Sequence, residues 1–217
     1  MPTNLYEKEN IQNLAQLKDL APEQFKAFND FNAAVFKDGA LSKKDKEIIA
    51  VAITHVTQCP YCIDAHTKAA KKAGATLEEL AEAVFVTTAV EAGGTVTHST
   101  HVHNAKDKEA SDVLYARSNL KNIGQSGKFA PDSFKGYQAF STAATKAGNL
   151  STKFKEIISV AVANATQCPY CIDVHTKNAD KQGATSEELA EAIMVASAVR
   201  AGGSYAHMAN MIQSYQD

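Results

Sequence analysis

Tryptophan is absent from this 217-residue chain, and proline occurs only 5 times. So few helix breakers leave room for long helices. Charge of one sign is lacking too: 22 lysines and arginines stand against 24 aspartates and glutamates, a net −2. That balance offers no electrostatic footprint for nucleic acid or an anionic membrane. No apolar run approaches the roughly 18 residues of a spanning helix. The opening Met1-Pro2-Thr3-Asn4-Leu5-Tyr6-Glu7 has neither the basic start nor the apolar stretch of a signal peptide, so the expected compartment is the cytoplasm. A Gly-rich phosphate loop, a Ser-centred elbow and a His-Glu-x-x-His motif are missing, and no bound cofactor or metal is expected. Cysteine is scarce, with 4 residues, but it falls in two pairs, Cys59/Cys62 and Cys168/Cys171. In a reducing compartment that spacing points to redox chemistry or a metal rather than to a structural staple.

Apolar residues make up 45% and alanine alone supplies 37 residues, so the chain is a globular helix former, not a disordered one. Both cysteine pairs sit in the phrase Thr-Gln-Cys-Pro-Tyr-Cys-Ile-Asp, at residues 57–64 and 166–173. Sliding the chain by 109 residues pairs Leu41–His98 with Leu150–His207, and 38 of those 58 positions are identical. Leu5-Tyr6 pairs with Leu114-Tyr115, Asn10 with Asn119, Pro22 with Pro131 and Phe25 with Phe134. The period is too long for a solenoid repeat. Two copies of one unit, 1–109 and 110–217, packed about a pseudo-two-fold axis, account for it.

Each unit reads as helical throughout, and the fold class is all-α. A first helix spans 4–18 through Leu5, Ile11, Leu14 and Leu17. A second starts at Ala21-Pro22, carries Phe25, Phe28, Phe31 and Val35, and ends at Gly39. Ser42 with Asp45 caps a third over about 43–57, apolar nearly all round beyond Glu47 and therefore core. The fourth starts at the cysteine pair and stops at Gly74. Thr76 with Glu79 boxes the start of a fifth, expected to end near Gly93-Gly94, and a last helix carries His98.

The chemistry concentrates in Glu47, Cys59, Cys62 and His66, repeated as Glu156, Cys168, Cys171 and His175. Steps of 3 and 4 put Cys59, Cys62 and His66 within about 60° on one helix face. Orphan N–H groups and the positive dipole end favour thiolate there. His66, one turn along, is placed to relay a proton. Glu47 precedes the apolar Ile48-Ile49, where desolvation disfavours a carboxylate's charge and suits it to act as a base. The helix-start argument alone makes the first cysteine of each pair, Cys59 and Cys168, the more acidic and more exposed, and so nominates it as the attacking thiol.

Glu-x11-Cys-x2-Cys-x3-His on a helical unit of this size resembles the AhpD-like alkylhydroperoxidases of the carboxymuconolactone decarboxylase superfamily, and the match occurs twice. The resemblance implies a thiol peroxidase with two sites per chain, serving antioxidant defence. Its Cys59–Cys62 and Cys168–Cys171 pairs would cycle between dithiol and disulfide while reducing a hydroperoxide, and a thiol or dihydrolipoyl-type donor would restore them. It implies attack by Cys62 and Cys171 through sulfenic acid, with Cys59 and Cys168 as proton donors and resolving thiols. Glu47 with His66, and Glu156 with His175, would form the relay. It also implies a homo-oligomer, a trimer of six units. Where many members carry histidine between the cysteines, this chain has Tyr61 and Tyr170, which do not protonate near pH 7.

Other features weigh less. His98 and His207, after Gly-Gly in both units, are secondary site candidates, whereas His101 and His103 pair with Asn210 and Ile212 and read as a solvated helix end. His55 against Asn164 and Phe85 against Met194 would make the two pockets unequal. A disulfide-passing adaptor would use the same thiols. A lactone decarboxylase needs no dithiol. A shared four-thiolate zinc site would leave each pair's Glu and His unexplained.

Overall fold

The computed structural model describes residues 6–110 and 112–216; Leu5, expected in the first helix, lies outside them. Among the described residues the chain is helical, with no strand. The first segment is a 3-10 turn over Lys8–Gln16 rather than an α-helix, and passes into the short α1 (Leu17–Leu20). Tertiary contact holds it: Leu14 and Leu17 pack on Ala209 and Ile212 of the other unit. Then follow α2 (Pro22–Val35), α3 (Lys43–Thr57), α4 (Pro60–Lys72), α5 (Leu77–His98) and α6 (Thr100–Asn104). A second 3-10 turn, Arg117–Asn122, opens the repeat: α7 (Ile123–Phe129), α8 (Pro131–Thr145), α9 (Thr152–Ala165), α10 (Pro169–Lys181) and α11 (Ser186–Gln216).

The caps follow the local sequence. Ser42 with Asp45 and Thr76 with Glu79 form capping boxes, and Gly74 takes φ +92° just past α4, where only glycine sits without strain. Two further expectations fail. The second helix ends at Val35, not Gly39. The fifth runs through Gly93-Gly94 to His98, so no separate helix carries that histidine. Gly93 lets a neighbour approach, since a Cβ there would lie 2.9 Å from the Tyr137 hydroxyl oxygen, whereas one at Gly94 would make ordinary contact, 3.9 Å from Cys171 Sγ.

Both units share one core. Ile48, Ile49 and Ile53 of α3 and Ile157, Ile158 and Val162 of α9 are fully buried in a single cluster with Val86 of α5 and Val195 of α11. The long helices cross over: α5 packs on α3 of its own unit and on α8, α9 and α10 of the other, and α11 packs on α9 and also on α2, α3 and α4.

A matched clasp joins the units. The buried Lys46 ammonium meets Glu191 at 3.1 Å, and Lys155 meets Glu82 at 2.9 Å. Glu191 also accepts the Ala40 and Leu41 N–H groups, and Glu82 those of Asn149 and Leu150. Gly39 and Gly148 are small for this reason, since a Cβ at either would collide with the docked carboxylate.

Candidate active site

One residue separates α3 from the first cysteine. Gln58 sits in the left-handed region at φ 53°, and Gln167 does the same at φ 58°. That conformation is costly for a side chain with a Cβ, by roughly 1–2 kcal/mol. It turns the chain sharply enough for Cys59 and Cys168 to stand in extended backbone as the N-caps of α4 and α10. Their sulfurs accept the N–H of Cys62 and Cys171, each at 3.3 Å, where a serine or aspartate oxygen ordinarily would.

This geometry separates the two thiols of each pair. The Cys62 thiol donates to Cys59, and that bond, opposed by burial and helped by the Cys62 N–H and the nearby His207, lowers Cys59 to about 6. The Cys171 thiol does the same for Cys168, which falls to about 5. The donors Cys62 and Cys171 are pushed up, first by that hydrogen bond and then by burial. The expectation for the first cysteine therefore holds for acidity and fails for exposure. Cys59 is 0% and Cys168 3% exposed, against 7% for Cys62 and 5% for Cys171. All four cysteines are buried, and as N-caps Cys59 and Cys168 direct their sulfurs to the Cys62 and Cys171 N–H groups.

The relay residues meet in both units. Glu47 is buried in the second turn of α3, and its Oε2 lies 2.9 Å from His66 Nδ1; Glu156 and His175 make the same contact at 2.8 Å. His66 stands one turn beyond Cys62 on α4. A cleft of about 610 Å³, bordered by Phe36, Lys37, Lys43, Glu47 and His66, opens beside the relay.

The opposite unit closes each sulfur site. His207 of α11 lies 6.3 Å from the ring of Tyr61, and His98 of α5 lies 6.1 Å from that of Tyr170. The Nε2 atoms of His98 and His207 are buried without a hydrogen-bond partner among the described residues. Tyr61 and Tyr170 are hydrogen-bonded to neighbouring segments. The Tyr170 hydroxyl donates to the Leu114 carbonyl and accepts from Asn119, and that of Tyr61 accepts from Asn210.

The profile of the carboxymuconolactone decarboxylase family matches residues 22–105 and again residues 131–213. The chain belongs to that family. It is a tandem member, with one helical unit per match. Among curated relatives, it is 48% identical over 73 residues to an uncharacterised protein of the cox locus of Paracoccus denitrificans, covering 34% of this chain and 66% of that one. An uncharacterised protein of Cupriavidus necator is 35% identical over 75 residues, 35% of this chain and 66% of the relative. One from Haemophilus influenzae is 39% identical over 59 residues, 27% of this chain and 52% of the relative. The matches thus span between half and two thirds of these relatives' lengths. No solved structure matches the chain.

Within this carboxymuconolactone decarboxylase fold, several sequence expectations need correction. His101 is not a solvated helix end: it packs 5.1 Å from Tyr115 and 6.0 Å from Tyr170. His103 stacks on Phe129. His55 and Phe85 line a groove with Val51, Ile63 and Leu77. Among the described residues no three His, Cys, Asp or Glu side chains gather as a metal ion requires, and no helix is long and apolar enough to cross a membrane. Two features escaped sequence reasoning. The Gln58 and Gln167 backbone has no signal in residue type. Thr97 places its Oγ1 3.7 Å from Cys168 Sγ and 3.9 Å from Cys171 Sγ; its counterpart in the repeat is Ala206, so the duplication did not flag it.

Proposed function

We propose that the chain is a thiol-dependent peroxidase with two sites, Glu47/Cys59/Cys62/His66 and Glu156/Cys168/Cys171/His175. The observation that carries the reading is the double occurrence of an acidic N-cap cysteine, a thiol donating to it and a Glu–His pair one turn away. Membership of a family with alkylhydroperoxidase-like enzymes supports it.

Each site begins as a monoanion, with Cys59 as thiolate and Cys62 as thiol. The proton passes from Cys62 to Cys59, which puts the nucleophile at the more accessible sulfur. Cys62 thiolate attacks the terminal peroxide oxygen, the O–O bond breaks, and the alkoxide leaves as alcohol with the proton from Cys59. Cys62 is now a sulfenic acid and Cys59 a thiolate again. Cys59 attacks Cys62 Sγ, the disulfide forms, and the departing hydroxide takes a proton through the His66–Glu47 relay to leave as water. One hydroperoxide, one thiol, one thiolate and one proton become an alcohol, water and a disulfide. A thiol or dihydrolipoyl-type donor returns two electrons. Cys168, Cys171, His175 and Glu156 act in the same roles. The exposed apolar Leu77 and Phe85 support assembly as a homo-oligomer.

The test is hydroperoxide consumption with a dithiol reductant. Wild type is expected to turn over, and Cys62→Ser/Cys171→Ser to fall at least 100-fold. Equal rates for the two would exclude the peroxidase reading and leave disulfide exchange between proteins as the use of these thiols.

A further inference from the structure

The two dithiols share their backbone but not the helix that covers them. At the C-terminal pair, α5 of the other unit brings the Thr97 hydroxyl to 3.7 Å from Cys168 Sγ and 3.9 Å from Cys171 Sγ. The same helix approaches closely at Gly94, where a Cβ would stand 3.9 Å from Cys171 Sγ. At the N-terminal pair, α11 presents Ala206, which has no hydroxyl, and a Cβ at Gly203 would face Thr57 at 3.6 Å. We propose that Thr97 sets the two dithiols at different reduction potentials, making Cys168–Cys171 the pair that an external dithiol reduces first.

The hydroxyl works as a turnable donor. Its single proton goes to the Gly94 carbonyl, 2.9 Å away, leaving the oxygen lone pairs free to accept from a thiol. When Cys168 ionises, the hydroxyl turns its proton to the sulfur, and a charge-assisted bond replaces the bond to the carbonyl. A disulfide whose reduced form is stabilised in this way is the more oxidising one. The acidity of the sulfurs runs in the same direction, with Cys168 at about 5 and Cys59 at about 6. The His98 imidazole favours the Cys168 thiolate and His207 favours that of Cys59, so the histidines act at both pairs and Thr97 at one.

In the reduction step, a thiolate of the donor dithiol attacks Cys171 Sγ and the S–S bond breaks. Cys168 leaves as thiolate, and the donor's second sulfur displaces Cys171 and closes a ring. Two electrons reach the protein, one proton stays on Cys171 and one is released.

This inference rests on the proposed dithiol chemistry, but its test separates the two. The full chain is equilibrated with reduced and oxidised dithiothreitol at pH 7, and each pair is read by differential alkylation and mass spectrometry. The expected result is a roughly tenfold difference in equilibrium constant, about 30 mV, with Cys168–Cys171 the more oxidising. At pH 5 the gap should shrink to about twofold, because both first cysteines then bind protons. Thr97→Ala should bring the pairs together, Thr97→Ser should keep them apart, and Ala206→Thr should raise the N-terminal pair. Alanine already occupies the equivalent helix position, so Thr97→Ala is expected to fold. Two disulfides of equal potential in the wild type, or a gap unchanged in Thr97→Ala, would overturn the inference and leave the peroxidase reading standing. Failure of either pair to form a disulfide would overturn both.

Discussion

The two sites of this chain are the same machine in different surroundings. Within each unit the positive-φ glutamine, the N-cap cysteine, the second cysteine and the Glu–His contact recur with distances that agree to about a tenth of an ångström. The surroundings diverge. His66 is stacked under Phe36 at 5.4 Å, whereas His175 has Thr145 at that place in the repeat. Glu156 gains a contact from Asn178 at 3.5 Å, where the N-terminal unit has Ala69. At the sulfurs, Thr97 stands opposite Ala206, and His101 opposite Asn210. The duplicated part holds the residues of the proposed chemistry; the divergent part surrounds them.

The largest effects should come from silencing one site at a time. Cys62→Ser and Cys171→Ser, made singly, should each leave the other dithiol turning over, and the double variant should lose activity. If either single variant abolishes all hydroperoxide consumption, the sites do not work independently. The relay comes next. With the other site silenced, Glu47→Gln or Glu156→Gln should slow its own site about a hundredfold, read as kcat with folding checked by circular dichroism. An unchanged rate would reduce Glu47 and Glu156 to structural acceptors.

The clasp tests symmetry of stability rather than of chemistry. Glu82→Ala strands buried Lys155, and Glu191→Ala strands Lys46, each expected to cost about 3 kcal/mol in urea unfolding. A large inequality would mean that one unit carries the shared core. Acid should weaken the same contacts. Burial pushes Glu82 up, but the Leu150 and Asn149 N–H groups and Lys155 outweigh it and hold the carboxyl at about 2; Glu191 is lowered in the same way by Leu41, Ala40 and Lys46. A folded value below the unfolded one gives stability that is complete above about pH 4.5 and is lost as pH falls toward 2. Glu82→Gln should flatten that part of the curve. The smallest effect is the tenfold offset between dithiols that Thr97 confers.

Much of this was legible in the sequence because it was written twice. The caps at Ser42 and Thr76, the start at Pro60 and the buried Ile48-Ile49 stretch are local features, set by residue type and spacing. The Glu–His contact follows from the helical steps once α3 and α4 are joined by a short link. What was not legible depends on the other unit. Gly93-Gly94 reads locally as a helix end, yet the helix continues to His98 and the Tyr137 hydroxyl of the C-terminal unit occupies the space beside Gly93. Gly39 reads as a cap and is instead the docking place of Glu191, more than a hundred residues away. The first cysteine reads as exposed and is buried for a different reason, since its sulfur caps its own helix.

Two complete sites per chain is the central claim, and a stoichiometric titration measures it most directly. Fully reduced protein, with no external donor, is treated with increasing hydroperoxide, and the remaining thiols and the disulfide-linked peptides are counted. Two hydroperoxides consumed per chain, with loss of all four thiols as Cys59–Cys62 and Cys168–Cys171, is the predicted result. One equivalent, or disulfides joining one pair to the other, would contradict it.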